Sequence, residues 1–220
     1  MNLKAIGVFG GTFDPVHNGH TEVIKILLDN FLFDHIRLIP CGKPPHKEST
    51  IGSSDQRIEM LKLAFKAFNN NIVLDRREIQ KEGPSYAIET ARELLDENSS
   101  DTSLVWIMGT DVFAEIDTWY RWEEFIEMIN ILVVSRPDIE IPSNSVAYKL
   151  LLNRWVDNFE SLLNKRYGNI FFTNIKPVKI SSTKVRDNLS LGEKVDDMIF
   201  STVRTFIKRQ KIYDKKNTNI

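Results

Sequence analysis

The sequence predicts an α/β fold, a doubly wound parallel sheet with helices on both faces. Apolar runs of strand length alternate with helix-patterned segments along the chain, an order that buries a parallel sheet between two helix layers. Four segments that combine turn residues with charged or histidine side chains each follow a strand: Gly10 to His20, Cys41 to Lys47, Gly109 to Asp111 and Ser135 to Pro137. Open parallel sheets bind ligands beyond the carboxyl ends of their strands, where strand order reverses.

Taken in order, Ala5 to Phe9 reads as a buried strand. Thr21 to Phe31 reads as a helix, with Val23, Ile24, Ile26, Leu27, Leu28 and Phe31 as its apolar positions. Asp34 to Pro40 is a second strand. Ser54 is placed to cap a helix running to about Phe68. Asn71 to Asp75 is a short third strand. The fixed φ of Pro84 suits the first turn of a helix through Leu95. Ser103 to Met108 is strand, Trp119 to Ile129 helix, and Ile131 to Ser135 strand. Ser145 to Lys165 is expected to form one helix, with Tyr148, Leu151, Leu152, Trp155, Phe159, Leu162 and Leu163 on its inner stripe. Ile170 to Thr173 is strand, and Ser182 to Leu189 and Asp196 to Gln210 are helices. The expected organisation is one domain over residues 1–220, with a small C-terminal helical part at about 181–213 and a polar tail from Asp214 that frays.

Composition narrows the function classes. A chain of 220 residues with 42% hydrophobic and 27% charged residues can build one full core. A formal net charge of −1 gives no general basic field for nucleic acid, so any phosphate site is made by local groups. No apolar run is long enough to span a bilayer, and the start of the chain is expected to carry no signal peptide. The single cysteine, Cys41, cannot form an internal disulfide; it suits a reducing cytosol and reads as a small strand-end residue rather than a nucleophile. A cytoplasmic protein is expected. A homo-oligomer is compatible with the sequence, which does not set the oligomeric state.

The segment Gly10-Gly11-Thr12-Phe13-Asp14-Pro15-Val16-His17-Asn18-Gly19-His20 joins a strand to a helix start. Glycines let backbone approach a phosphate, and free N–H groups at a helix start point at it. Histidines three apart on that junction can face one ligand. With four histidines and one cysteine in the chain, the pair is not read as a zinc site. Other segments are less specific by themselves. Ser182 or Thr183 could serve only as a helix cap, with Arg186 as a surface charge. Gly42 to Lys47 is a stiff basic loop, Gly83 to Thr90 a proline-initiated helix with a core tyrosine, and Trp106 and Trp122 read as core.

The first segment resembles the signature Gly-Thr-Phe-Asp-Pro-x-His-x-Gly-His of nucleotidyltransferases, in the variant of bacterial nicotinate-nucleotide adenylyltransferases. The resemblance extends in order through Lys43-Pro44-Pro45-His46, Gly83-Pro84-Ser85-Tyr86, Gly109-Thr110-Asp111, Trp119-Tyr120, Ser135-Arg136-Pro137 and Ile180-Ser181-Ser182-Thr183-Lys184-Val185-Arg186. It implies a Rossmann-like sheet of the nucleotidylyl transferase type. It also implies a reaction in which nicotinate mononucleotide takes the AMP part of ATP and pyrophosphate leaves, as a step of NAD biosynthesis.

Site roles follow from the same likeness. Gly10, Gly11, Thr12, Phe13, His17, His20, Gly109, Asp111, Arg136, Ser182, Thr183 and Arg186 are implied to bind ATP. Thr12, Lys43, His46, Ser85, Tyr86, Ala87 and Trp119 are implied to bind the pyridine nucleotide. His17, His20 and Arg186 are implied to be catalytic, acting as donors to phosphate. Ala87 stands where the family commonly has threonine, and Thr110 where it has alanine. Mg²⁺ is expected with ATP, held mainly by the phosphates, with no metal site of the protein's own. Nicotinamide mononucleotide as acceptor, phosphopantetheine as acceptor, and a nucleotide-binding regulator without turnover are the competing readings. Length and the Pro-Ser-Tyr element argue against the second, and the full set of donors against the third. The similar motif of aminoacyl-tRNA synthetases lacks support in a chain this short with no Lys-Met-Ser-Lys-Ser loop.

Overall fold

The structure, a computed structural model, describes residues 3–43, 50–135, 139–173, 175 and 178–214. Among the described residues, seven strands form one sheet: β1 Lys4–Gly11, β2 His35–Pro40, β3 Ile72–Leu74, β4 Thr102–Gly109, β5 Asn130–Val134, β6 Trp155–Val156 and β7 Ile170–Thr173. Their order is β3-β2-β1-β4-β5-β7-β6, and every pairing is parallel. The order reverses between β1 and β4. In register, Gly11 stands beside Pro40 and Phe9 beside Ile107, so the ends of β1, β2 and β4 reach one carboxyl edge.

Among the described residues, ten helices cover the sheet: α1 Asn18–Asn30, α2 Ser54–Phe65, α3 Arg77–Gln80, α4 Ala87–Glu97, α5 Thr110–Ala114, α6 Trp122–Ile126, α7 Val146–Arg154, α8 Phe159–Leu162, α9 Ser182–Leu191 and α10 Ser201–Gln210. Strand alternation divides the core in two. Ala5, Ile36, Leu38, Val105, Ile107, Leu132 and Val134 face one layer, with α1, α2, α8, α9 and α10. Ile6, Val8, Ile39, Leu104, Trp106, Met108, Ile131 and Val133 face the other, with α4, α5, α6 and α7. The layer shared by α1, α2, α9 and α10 brings the end of the chain to its beginning. Among the described residues, no helix is long and apolar enough to cross a membrane.

Several expectations need correction. The cap of α2 is Ser53, whose Oγ accepts from Gln56 N while Gln56 Oε1 accepts from Ser53 N, and a 3₁₀ turn Lys66–Asn71 replaces the expected last turn. Helix α4 begins at Ala87, so Pro84 lies before it. Helices α3 and α5 were not expected, and the helix expected over 119–129 shrinks to α6 after a 3₁₀ turn Ile116–Thr118. The helix expected over 145–165 is broken: Trp155 turns extended to pair with Ile170 in the sheet, and Asn158 Oδ1 accepts from Ser161 N to start α8. Its stripe is rephased, because Leu152 (71%) and Trp155 (58%) are exposed whereas Ala147 and Leu150 are buried. The last helix starts at Ser201 rather than Asp196. The tail expected to fray lies outside the described residues from 215 on.

Candidate active site

The turn after β1 builds the centre of the site. His17 is the N-cap of α1, in extended backbone (φ −139°, ψ 169°), and its N–H donates to Nδ1 of His20 at 3.2 Å. The two rings stack with centroids 3.6 Å apart, and Phe13 meets His20 edge-on at 5.1 Å. A neutral imidazole whose Nδ1 accepts carries its proton on Nε2. His20 is thereby set as an Nε2–H donor. Gly19 gives the His17 ring room: a Cβ there would crowd it, at 3.1 Å from His17 Nδ1 and 3.3 Å from the Val178 carbonyl oxygen. His17 is buried and His20 half-buried.

The start of α9 docks on the same turn. Its cap is Ser181, which accepts from Lys184 N, so capping does not occupy Ser182 or Thr183. Ser182 Oγ donates to the Pro15 carbonyl at 2.9 Å, and Arg186 Nη1 donates to the Asp14 carbonyl at 2.7 Å while Nη2 reaches Thr183 Oγ1 at 3.3 Å. Two helix starts therefore meet at residues 12–17, an arrangement that favours an anion.

A second group lies along the same edge. Ser85 is buried; its Oγ accepts from Gly42 N at 3.2 Å and its N–H donates to the Lys43 carbonyl at 3.0 Å. The Lys43 side chain is exposed. Tyr86 precedes α4 and lies 4.5 Å, ring to ring, from Tyr120, while the half-buried Trp119 packs 5.5 Å from Phe125. Ala87 is the first residue of α4. Gly109 ends β4 and Asp111 is half-buried in the first turn of α5, where Thr110 Oγ1 donates to the Val134 carbonyl. Trp106 is buried against Phe125, as the core reading expects. His46 and Arg136 lie outside the described residues.

The cytidylyltransferase-like family model matches residues 8–188, from β1 into α9. A Legionella pneumophila (strain Lens) protein called "Probable nicotinate-nucleotide adenylyltransferase" is 37% identical over 96% of this chain and 100% of its own length. One of the same name from Pseudomonas aeruginosa is 34% identical over 96% of this chain and 97% of its length. The chain belongs to the nicotinate-nucleotide adenylyltransferase family. The fold agrees with a solved Plasmodium falciparum nicotinic acid mononucleotide adenylyltransferase complexed with NaAD, at a TM-score of 0.71 and 19% identity over 96% of this chain and 97% of that one.

For a nicotinate-nucleotide adenylyltransferase family member, the motif residues named above were legible. Three others were not. Asp14, part of the motif but given no role of its own, is buried and its carboxylate accepts from Ile51 N (2.9 Å), Gly52 N (2.9 Å) and Tyr213 Oη (2.6 Å). Arg57, 1% exposed, donates through Nη1 to the carbonyls of Thr12 and Cys41, both at 2.8 Å. Burial pulls its guanidinium down from the ordinary value, opposed by Asp14. Burial, and then Asp14, push the Tyr213 phenol far up. The signal available in sequence was an arginine on the core face of α2, where a leucine or isoleucine would be ordinary. Cys41 lies half-buried beside Arg57, and burial with the Glu78 carboxylate pushes its thiol up to about 12.

Proposed function

We propose that this chain transfers the adenylyl group of ATP to nicotinate mononucleotide, yielding nicotinate adenine dinucleotide and pyrophosphate, as a step of NAD biosynthesis in the cytoplasm. The observation that carries it is the His17–His20 pair, with His20 set as a donor, beside Ser182 and Arg186 on one turn between two helix starts. Relatives across the whole chain bear the corresponding name.

A 5′-phosphate oxygen of the mononucleotide attacks the α-phosphorus of ATP in line. A new P–O bond forms, the bond to the β-phosphate bridging oxygen breaks, and pyrophosphate leaves with that electron pair. No protein base is needed, because the attacking phosphate is already ionised. The chain's contribution is position and charge. Gly10, Gly11, Thr12 and Phe13 lead the backbone past the phosphates. His20 Nε2–H donates to the α-phosphate oxygens as charge gathers there, and His17 supports its ring. Ser182, Thr183 and Arg186 take the β- and γ-phosphates, and Arg186 stabilises the departing pyrophosphate. Gly109, Asp111 and Arg136 border the adenosine. Lys43, His46, Ser85, Tyr86, Ala87 and Trp119 receive the pyridine nucleotide, with Trp119 stacking on the ring and the α4 start facing its carboxylate.

Mg²⁺ bound with ATP neutralises phosphate charge. In this reading the cation would be carried by those phosphates, since the carboxylate on the phosphate turn, Asp14, is already filled by protein donors.

The deciding experiment is pyrophosphate release with Mg²⁺-ATP, comparing nicotinate and nicotinamide mononucleotides at equal concentration. A strong preference for the acid is expected. Equal use would make the enzyme dual-specific, and no release with either would overturn the assignment of substrate.

A further inference from the structure

We infer that Tyr213 is a positioning residue for adenylyl transfer: its hydroxyl, through Asp14, holds the phosphate turn in place against Ile51 and Gly52. The inference rests on the adenylyl-transfer reading above.

Asp14 sits between the glycines and the histidine pair. Its side chain makes no hydrogen bond within the turn that carries it; Oδ2 accepts from Ile51 N, and Oδ1 from Gly52 N and Tyr213 Oη. Its carbonyl accepts from Arg186 Nη1. Arg57 Nη1 fastens the neighbouring Thr12 carbonyl to that of Cys41. The turn that contacts phosphate is thus held by Arg57 of α2, by Arg186 of α9, by the segment just before α2, and by Tyr213, three residues past the end of α10. Gly52 is part of the arrangement, since a Cβ there would lie 2.7 Å from Asp14 Oδ1 and 3.2 Å from Tyr213 Oη.

Tyr213 is more than core filling. Lys211, in left-handed backbone (φ 51°), ends α10, and Ile212 N returns to the Ile207 carbonyl. Tyr213 itself has φ 66°, a conformation that costs a side-chain-bearing residue energy unless its contacts compensate. That bend drives the phenol to 0% exposure, where its one polar atom meets Asp14 at 2.6 Å. A phenylalanine would fill the same space. The hydroxyl serves the turn. It also lies beyond residues 8–188 matched by the family model.

The test is Tyr213→Phe, which keeps the ring and removes the hydroxyl, with Gly52→Ala as a second perturbation of the same carboxylate from its other side. Pyrophosphate release is measured per folded molecule, beside thermal unfolding and amide exchange of residues 12–17 and 51–52. Expected for Tyr213→Phe are a kcat per folded molecule lower by about tenfold, an unfolding midpoint lower by a few degrees because the buried Asp14 loses a donor, and exchange at those amides faster by about tenfold. A kcat within twofold of the unsubstituted chain, or a loss that follows the unfolded fraction, overturns the positioning role. Unchanged exchange overturns it whether or not the unsubstituted chain turns over nicotinate mononucleotide; absence of that turnover alone would count against the substrate and not against Tyr213.

Discussion

The main-chain N–H of His17 donates to Nδ1 of His20 at 3.2 Å, and the two rings stack at 3.6 Å. One residue's backbone therefore sets the tautomer of the other and leaves Nε2 of His20 as its donor, which in the proposed reaction faces the α-phosphate. His20→Ala is expected to lower kcat by roughly a hundredfold or more while ATP KM changes only a few-fold, because the bond strengthens as charge develops. Steady-state kinetics with both substrates varied decides this; an unchanged kcat would remove His20 from the chemistry.

Gly19 leaves space for that stacking. A Cβ at this position would press on the His17 ring at 3.1 Å and on the Val178 carbonyl at 3.3 Å. Alanine is the better helix former, so Gly19→Ala separates propensity from geometry. Turnover is expected to fall by about tenfold or more through the displaced ring, with a small change in unfolding midpoint. Full activity in the alanine variant would mean that the ring pair tolerates displacement.

Trp119 is half-buried against Phe125, close to the Tyr86 and Tyr120 pair. Loss of one stacked aromatic face predicts that Trp119→Ala raises KM for the pyridine nucleotide by roughly three- to tenfold and leaves KM for ATP near its original value. An effect confined to ATP would take Trp119 out of the pyridine pocket.

Cys41 titrates against the usual direction of a reactive thiol. Burial and the neighbouring Glu78 carboxylate push it from 9.0 up to about 12. At pH 8 the native thiol is expected to alkylate roughly a hundred- to a thousandfold more slowly than an ordinary one, measured with iodoacetamide on folded and unfolded protein. The linked stability has a definite sign. The folded value lies above the unfolded one, so this contribution is complete below about pH 9 and is lost as pH rises toward 12. Cys41→Ala should flatten that part of the pH–stability curve; an identical curve would locate the alkaline loss elsewhere.

The strand–turn–helix over Gly10 to His20 was legible because a strand, a glycine turn and a helix start are made by adjacent residues. Sheet alternation was legible for the same reason: a buried parallel strand is apolar along its own length, as Leu104 to Met108 and Ile131 to Val134 are. The break of the expected helix at Trp155 was not legible, since it exists only because Trp155 pairs with Ile170 across the sheet edge. Nor were Asp14, Arg57 and Tyr213, whose partners lie 38, 45 and 199 positions away in the chain. The sequence by itself therefore determined the fold class, the strand–turn–helix over Gly10 to His20 and the family's motifs, all of which are properties of neighbours along the chain. Only the tertiary structure decided what holds that turn in place, because a buried carboxylate, guanidinium or phenol must take its hydrogen-bond partners from whatever the folded core brings within 3 Å of it.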